Sequence, residues 1–253
     1  IFVAIDGLGM NTINAMDQDD FIPRHLEKEL STVFPTSTPV VFTSLATGKW
    51  PGEHAIIGWD MYLGNVDFVA TIIRFIRRSD ERFLGDIGLT SEQVFHSASM
   101  TQRFRRNTLI MQPQEISNSV YSNYTSGGKP QLGYDTLDNA VDILTARLTG
   151  ATRPTYTSLY TDIVDRTSHI YGVGHEKVLV AAGEVNRHLE RLSGRLPANS
   201  RLVVTADHGL LNAAETQVHE IDLTDEIMKF VVGEPWGTGR SMNWNVQPRH
   251  FLT

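Results

Sequence analysis

The chain is 253 residues long, 41% apolar and 20% charged, with nine histidines, no cysteine and a formal charge of −7. That length suffices for one sizeable buried core, and the acidic balance argues against a binder of nucleic-acid polymers, whose affinity comes from a cationic surface. Zero cysteine excludes a disulfide scaffold, a thiolate nucleophile, a zinc ribbon and a cysteine-held iron–sulfur cluster, so any metal must sit on His, Asp, Glu and hydroxyl oxygens.

Ile1-Phe2-Val3-Ala4-Ile5 reads as a buried strand that begins without a lead-in, followed by the turn Asp6-Gly7-Leu8-Gly9-Met10 and a helix over about 11–17. A chain that opens in a core strand and stops at Arg249-His250-Phe251-Leu252-Thr253 without a terminating signal reads as an excerpt, truncated at both ends. Thr32 to Gly48 combines hydroxyl residues and proline with a return of helical spacing at Val41 and Leu45. Residues 60–130 are rich in Arg, Ser, Asn and Gly with broken periodicity; they read as a cap inserted over the core, with a helix near 90–105. Leu137, Val141, Leu144 and Leu148 then mark one face of a helix. Tyr156 to Tyr160 reads as a strand, and His175 to Leu192 as a helix with Val178, Ala182, Val185, Leu189 and Leu192 inward.

Leu202-Val203-Val204-Thr205-Ala206 is a continuous apolar run of the kind buried on both faces of a parallel sheet. Strands alternating with helices predict one α/β domain over 1–253, a three-layer α/β/α sandwich with the sheet in the middle. No apolar run approaches the roughly 20 residues of a membrane helix, so no membrane segment is expected. No signal-peptide pattern stands at the start, and with the lack of cysteine this favours a cytoplasmic location.

In open α/β sheets ligands bind beyond the carboxyl ends of the strands. The predicted core strands end at Asp6, lead on to Asp162 and Asp165, or end at Asp207-His208-Gly209. Parallel strands bring those ends to one edge, and so much negative charge needs a cation or substrate beside it. Singly, such an Asp is an ordinary turn or helix cap, and Asp165 with His169 four residues on is an ordinary surface pair. Together they form a set of hard-oxygen and imidazole ligands suited to Zn²⁺ or a similar ion. Thr36-Ser37-Thr38 before Pro39 supplies a candidate nucleophile at a helix N-terminus, where backbone N–H groups favour an anion; the competing reading is a plain N-cap.

Phe2-Val3-Ala4-Ile5-Asp6-Gly7, Pro35-Thr36-Ser37-Thr38 through Thr47-Gly48, Trp50-Pro51-Gly52-Glu53-His54-Ala55-Ile56-Ile57-Gly58, Asp165…His169 with Gly172, and Thr205-Ala206-Asp207-His208-Gly209 resemble, in order and spacing, the type I phosphodiesterase/nucleotide pyrophosphatase family of the alkaline phosphatase superfamily. The resemblance covers residues 1 to about 210, with Gly233 to Arg240 only loosely similar. It implies an alkaline-phosphatase-like fold and a hydrolase acting on small-molecule phosphate esters through two divalent metal ions, usually zinc. By position, one ion takes Asp6, Thr38, Asp207 and His208; the other takes Asp165, His169 and one further His. Thr38 is implied as the nucleophile, nine residues before Thr47 as in the family, with Ser37 the alternative, and a phosphothreonine intermediate follows.

Two departures stand out. Trp59 occupies the position of an asparagine that donates to a phosphoryl oxygen in nucleotide-cleaving members; an indole N–H also donates. The further His has no match, because His219 and His250, the histidines after His208, lack the expected His/Gly-rich context. His54 matches a family position and is expected to line the site. His25, His96 and His188 read as surface side chains, and His175 as a helix cap. Alternatives are another chemistry of the superfamily, namely phosphomonoester, phosphonate or sulfate-ester hydrolysis or phosphomutase activity, and a non-catalytic module that binds phosphate esters. A sulfatase needs an Arg after the Ser-x-Pro element, which Ser37-Thr38-Pro39-Val40-Val41 lacks.

Overall fold

The computed structural model describes residues 1–214, 216, 222 and 224–248. The first half holds β1 (Phe2–Ile5), α1 (Met10–Ala15), α2 (Phe21–Arg24), α3 (Thr38–Thr47), α4 (Pro51–His54), β2 (Asp60–Leu63), β3 (Phe68–Thr71), β4 (Ile76–Arg77), α5 (Ser91–Val94), β5 (Asn107–Pro113) and α6 (Val120–Ser126). The second holds β6 (Gln131–Tyr134), α7 (Leu137–Thr149), β7 (Thr155–Thr161), α8 (Ile163–Tyr171), α9 (Glu176–Arg195), β8 (Val203–Ala206), α10 (Asp225–Met228), β9 (Trp236–Thr238) and β10 (Ser241–Asn243).

The main sheet is parallel, in the order β6-β5-β7-β1-β8. Strand alternation sends Val3, Ile5, Met111 and Leu159 to one face, where they join Val141, Leu144, Val178, Val185 and Leu189 of α7 and α9 in the larger core. The predicted inward faces of those two helices are all buried, and His175 caps α9 by accepting from the Lys177 N–H at 3.2 Å. The second face is covered by α3, whose Phe42 meets the Tyr160 ring edge-on at 4.9 Å. Beside α3 lies α6, where Ser122 Oγ donates to Gln112 Oε1 at 3.3 Å. This is the expected three-layer α/β/α arrangement. Among the described residues no helix is long and apolar enough to cross a membrane.

Three expectations are corrected. Residues 60–130 do not form one cap. Strands β2 to β4 pair with β9 and β10 in a separate antiparallel sheet, whereas β5 lies beside β7 in the main sheet. The apolar run of β5, Leu109-Ile110-Met111, is only three residues long between polar neighbours, which hides a strand flanked on both sides by others. The helix expected near 90–105 is the single turn α5 and a 3₁₀ turn at Met100–Arg103, because Phe95 leaves helical geometry to bury beside Tyr124. The run 202–206 is not buried on both faces. β8 is the edge strand among the described residues, and Val203 is 45% exposed.

Register aligns Ile5 with Thr161 on one side and with Ala206 on the other. The residues that follow these strands therefore leave the sheet at one level. Two glycines let the loops after β1 and β8 touch: a Cβ on Gly209 would stand 2.9 Å from the Gly9 Cα, and one on Gly9 would be closer still. Gly9→Ala is therefore expected to overpack this contact at a cost of about 1–3 kcal/mol, lowering the thermal midpoint by roughly 2–12 °C at this chain length. Gly52→Ala, with nothing within 4 Å of the added carbon, serves as the control. Equal midpoints for the two variants in a thermal melt would contradict the close-approach account.

Candidate active site

Asp6 follows β1 and is 2% exposed. Its Oδ2 accepts from the Tyr160 hydroxyl at 2.6 Å, and its backbone carbonyl accepts from the Asp165 N–H at 3.1 Å. Asp207 follows β8 and is 1% exposed, with Oδ1 accepting from the N–H groups of Gly7 at 3.1 Å and His208 at 2.8 Å. Gly7 can offer that N–H because its φ of +73° is free of a side chain; a Cβ there would stand 2.8 Å from the Asp165 Cα.

His208 turns its imidazole back across this pair. Nε2 lies 3.5 Å from Asp6 Oδ1, 3.4 Å from Asp207 Oδ2 and 3.3 Å from Thr38 Oγ1. Thr38 Oγ1 donates to Asp6 Oδ2 at 3.5 Å. Thr38 is the first residue of α3, and Ser37 is its N-cap without a side-chain capping bond. The capping reading of these hydroxyls therefore fails: the Thr38 side chain reaches the carboxylates instead of its own helix. Pro39 has no N–H, and the N–H groups of Val40 and Val41 both donate to the Ser37 carbonyl at 3.0 Å. The first-turn donor left facing an anion is that of Thr38.

Burial, with the Asp207 and Asp165 charges nearby, pushes the Asp6 carboxyl up to about 8. Burial raises Asp207 to about 6 against the pull of the Gly7 and His208 N–H groups, and it raises Asp165 as well. Asp6 Oδ1, Asp207 Oδ2 and Asp165 Oδ1 are buried without a hydrogen bond. Buried acceptors left unpaired and carboxylates left repelling one another are what a cation relieves. Asp6, Asp207 and His208 present ligand atoms within 4.8 Å of one another, and they are the one such group of three or more among the described residues. Two ligands of one zinc ion with bonds of about 2.0–2.2 Å stand about 3.3–3.6 Å apart in a tetrahedral site; His208 Nε2 lies 3.3 to 3.5 Å from Thr38 Oγ1, Asp207 Oδ2 and Asp6 Oδ1, and the other Asp6 oxygen, Oδ2, lies 3.5 Å from Thr38 Oγ1. The donor set fits a divalent ion.

Asp165 and His169 project from α8 one turn apart, with Asp165 Oδ1 3.5 Å from His169 Nε2 and the imidazole 71% exposed. Both line the cavity that holds Asp6, Thr38 and His208. No further His joins them among the described residues, and His219 and His250 lie outside those residues. Trp59, 41% exposed, lines the same cavity. His54 does not: it is buried against α3, accepting from the Ile56 N–H at 3.1 Å through Nδ1, so its Nε2–H donates to Ser44 Oγ at 2.9 Å. His25 and His96 are exposed, but His188 is half-buried with its ring nitrogens near Asp138 and Glu184. Tyr160 escapes the sequence reading because a Tyr that ends a strand looks like core. Its signal was the position two residues before Asp162, on the face of β7 opposite Leu159.

The profile of the type I phosphodiesterase / nucleotide pyrophosphatase family matches residues 1–248. The chain belongs to that family. Venom phosphodiesterases 2 and 1 of Crotalus adamanteus are each 24% identical over 189 residues, 72% of this chain; the chain spans about a fifth of their length, 22% and 21%. Murine ectonucleotide pyrophosphatase/phosphodiesterase 5 superposes with a TM-score of 0.64 at 18% identity, covering 89% of this chain and 61% of that one. Phosphonoacetate hydrolase of Sinorhizobium meliloti 1021 does so at 0.52 and 16%, covering 82% and 55%. These structural neighbours share the alkaline-phosphatase-like fold.

An unfolded aspartate titrates near 3.8 and the folded Asp6 near 8. The stability contributed by its protonated form is complete below the lower value and is lost as pH rises through the upper one. The chelator-treated protein should therefore lose thermal midpoint across that window. Asp6→Asn should flatten the loss, and Zn²⁺ should stabilise the wild-type chain most at the alkaline end, where it competes with fewer protons. Melts at a series of pH values check this, and an unaltered slope in Asp6→Asn contradicts it.

Proposed function

We propose that the protein is a metal-dependent hydrolase of small-molecule phosphate esters, cleaving phosphodiester or nucleotide pyrophosphate bonds through a phosphothreonine at Thr38. The observation that carries this reading is the Thr38 hydroxyl, held at the start of α3 within 3.5 Å of both Asp6 Oδ2 and His208 Nε2. Asp6, Thr38, Asp207 and His208 would hold one divalent ion, zinc by donor type; Asp165 and His169 would supply ligands to a second. Such ions lower the pKa of a bound hydroxyl or water and offset charge on a phosphoryl group.

The chain's own residues do the rest. The Thr38 N–H at the positive end of α3 orients a phosphoryl oxygen, and Asp6 Oδ2 is within reach of the proton that the Thr38 hydroxyl gives up. Thr38 Oγ1 then attacks phosphorus in line and the ester oxygen opposite leaves with its bonding pair. Water later displaces Thr38 Oγ1, regenerating the hydroxyl and releasing the phosphate product. The Tyr160 hydrogen bond and the Gly7 and His208 N–H groups fix Asp6 and Asp207 beforehand, so little reorganisation remains at the reacting centre. A solved relative, murine ectonucleotide pyrophosphatase/phosphodiesterase 5, is described as inactive in a threonine-to-alanine form that binds AMP, which supports a threonine nucleophile in this fold.

The zinc-loaded protein should hydrolyse bis(p-nitrophenyl) phosphate, lose that activity in EDTA and regain it with Zn²⁺. Thr38→Ala should lower kcat at least about a thousandfold while still binding the metal. Turnover unchanged in Thr38→Ala would move the nucleophile elsewhere, and activity indifferent to EDTA would remove the metal from the chemistry.

A further inference from the structure

The main sheet is polarised in charge along its strands. Arg106, Lys129, Arg153 and Arg201 precede β5, β6, β7 and β8 by no more than two residues, while Asp6, Glu115, Asp135, Asp162 and Asp207 follow the five strands as closely. Residues 100–106, 127–130, 146–154 and 196–202, which lead into those four strands, contain no Asp or Glu. Their loops form one face. The Asn107 N–H donates to the Pro154 carbonyl at 3.1 Å, Lys129 Nζ to the Phe104 carbonyl at 2.9 Å and the Val203 N–H to the Ile1 carbonyl at 2.9 Å, across a sheet about 19 Å wide at the usual strand spacing. Arg103, Arg105, Arg106, Arg153 and Arg201 are exposed and Lys129 is half-buried. Among the described residues none of the six pairs with a carboxylate.

Apolar side chains border this face. A Cβ on Gly48, just past α3, would stand 3.2 Å from Met100 Sδ, so the chain leaving α3 runs beside the turn that leads into Arg103. Met100 is exposed, and Trp50, two residues after Gly48, is 69% exposed. Phe104 meets Tyr156 edge-on at 4.9 Å, and with Arg105 and Arg106 the two rings line a recess of about 310 Å³.

We infer that this face docks the protein on an anionic membrane surface, with the arginines at lipid phosphates, the Trp50 indole at headgroup level and the candidate active site turned toward the solution. The negative net charge does not oppose such docking. The seven residues of β7 set the acidic end about 23 Å away, more than two Debye lengths of about 8 Å at physiological ionic strength, so the surface meets only the basic end. Single-stranded nucleic acid is held in a cationic groove by rings on which its bases stack. Here the cations stand on separate loop tips with an exposed indole at their border, the combination of positive charge and amphipathic ring that suits a membrane interface.

Flotation with vesicles of phosphatidylcholine, alone or with about 30% phosphatidylserine, tests this. The protein should float with the anionic vesicles at about 0.05 M salt, stay behind with the neutral ones, and be released at about 0.5 M. Each arginine near such a surface contributes roughly fivefold to partitioning, so the triple variant Arg103→Gln/Arg105→Gln/Arg106→Gln should bind at least about tenfold more weakly. Lys28→Gln/Arg82→Gln/Arg187→Gln removes the same charge from exposed positions elsewhere and should bind like the parent. Trp50→Ala should weaken binding several-fold and remove the blue shift of tryptophan emission that anionic vesicles produce in the parent. All seven side chains are exposed, so the variants should melt with the parent, and loss of folded protein does not mimic the effect. Absence of binding to anionic vesicles at low salt, equal loss in the two triple variants, or binding unmoved by Trp50→Ala would overturn the inference. So would tighter binding to a thymidine oligonucleotide or to polyglutamate than to the vesicles.

Discussion

Asp6 and Asp207 are brought together at the carboxyl edge of a parallel sheet with almost no water to share their charge, and Asp165 stands half-buried beside them. Burial raises all three, and a neighbouring carboxylate adds to it in each case: Asp207 and Asp165 for Asp6, Asp162 for Asp165, and Asp165 for Asp207; each leaves one oxygen without a hydrogen bond. A fold that needed only stability would not assemble such a group, because uncompensated buried charge costs several kcal/mol in proteins. The rest of the architecture accommodates it. The equal level at which β1, β7 and β8 end sets the carboxylates side by side, and the contact of Gly9 with Gly209 closes the two loops that carry them. Tyr160 and the Gly7 N–H hold single oxygens in place, and α3 brings Thr38 to the same point from the other layer.

The two faces of the sheet divide the work. The face under α7 and α9 is packed with Val, Leu, Ile and Met and supplies stability. The face under α3 and α6 carries the candidate site residues and is incompletely filled, leaving a cavity continuous with the carboxylate cluster. Strand alternation separates the roles residue by residue: on β7, Leu159 faces the core while Tyr160 faces Asp6. A short strand thus anchors a core with one residue and holds the Asp6 carboxylate with the next.

Much of this is legible in the sequence where a single element carries the signal. The three-to-four spacing of α7 and α9, the apolar run of β1, and the acidic residues after β1 and β8 are all visible locally. The spacing of Asp165 and His169 needs only one helical turn. What escapes is what distant segments decide. β2 and β3 are four residues each; β2 acquires its meaning by pairing with β9, more than 160 residues later in the chain, and β3 by pairing with β2. β5 hides its three apolar residues between polar ones because β6 and β7 cover its edges. Val203 looks like interior sequence but stands at the sheet edge. Tyr160 and the cavity depend on which face a residue takes, and His54 shows the converse: a position matching the family motif whose contacts are to Ser44 and Ile56 rather than to the site.

The central claim is that the carboxylate cluster is a cation site built around the Thr38 hydroxyl. Anomalous diffraction at the zinc edge, from crystals of the zinc-loaded protein, tests it most directly. The account predicts a peak within bonding distance of Asp6, Asp207 and His208, with Thr38 Oγ1 turned toward it. Zinc found only elsewhere, with these carboxylates protonated and bonded to one another, would contradict it.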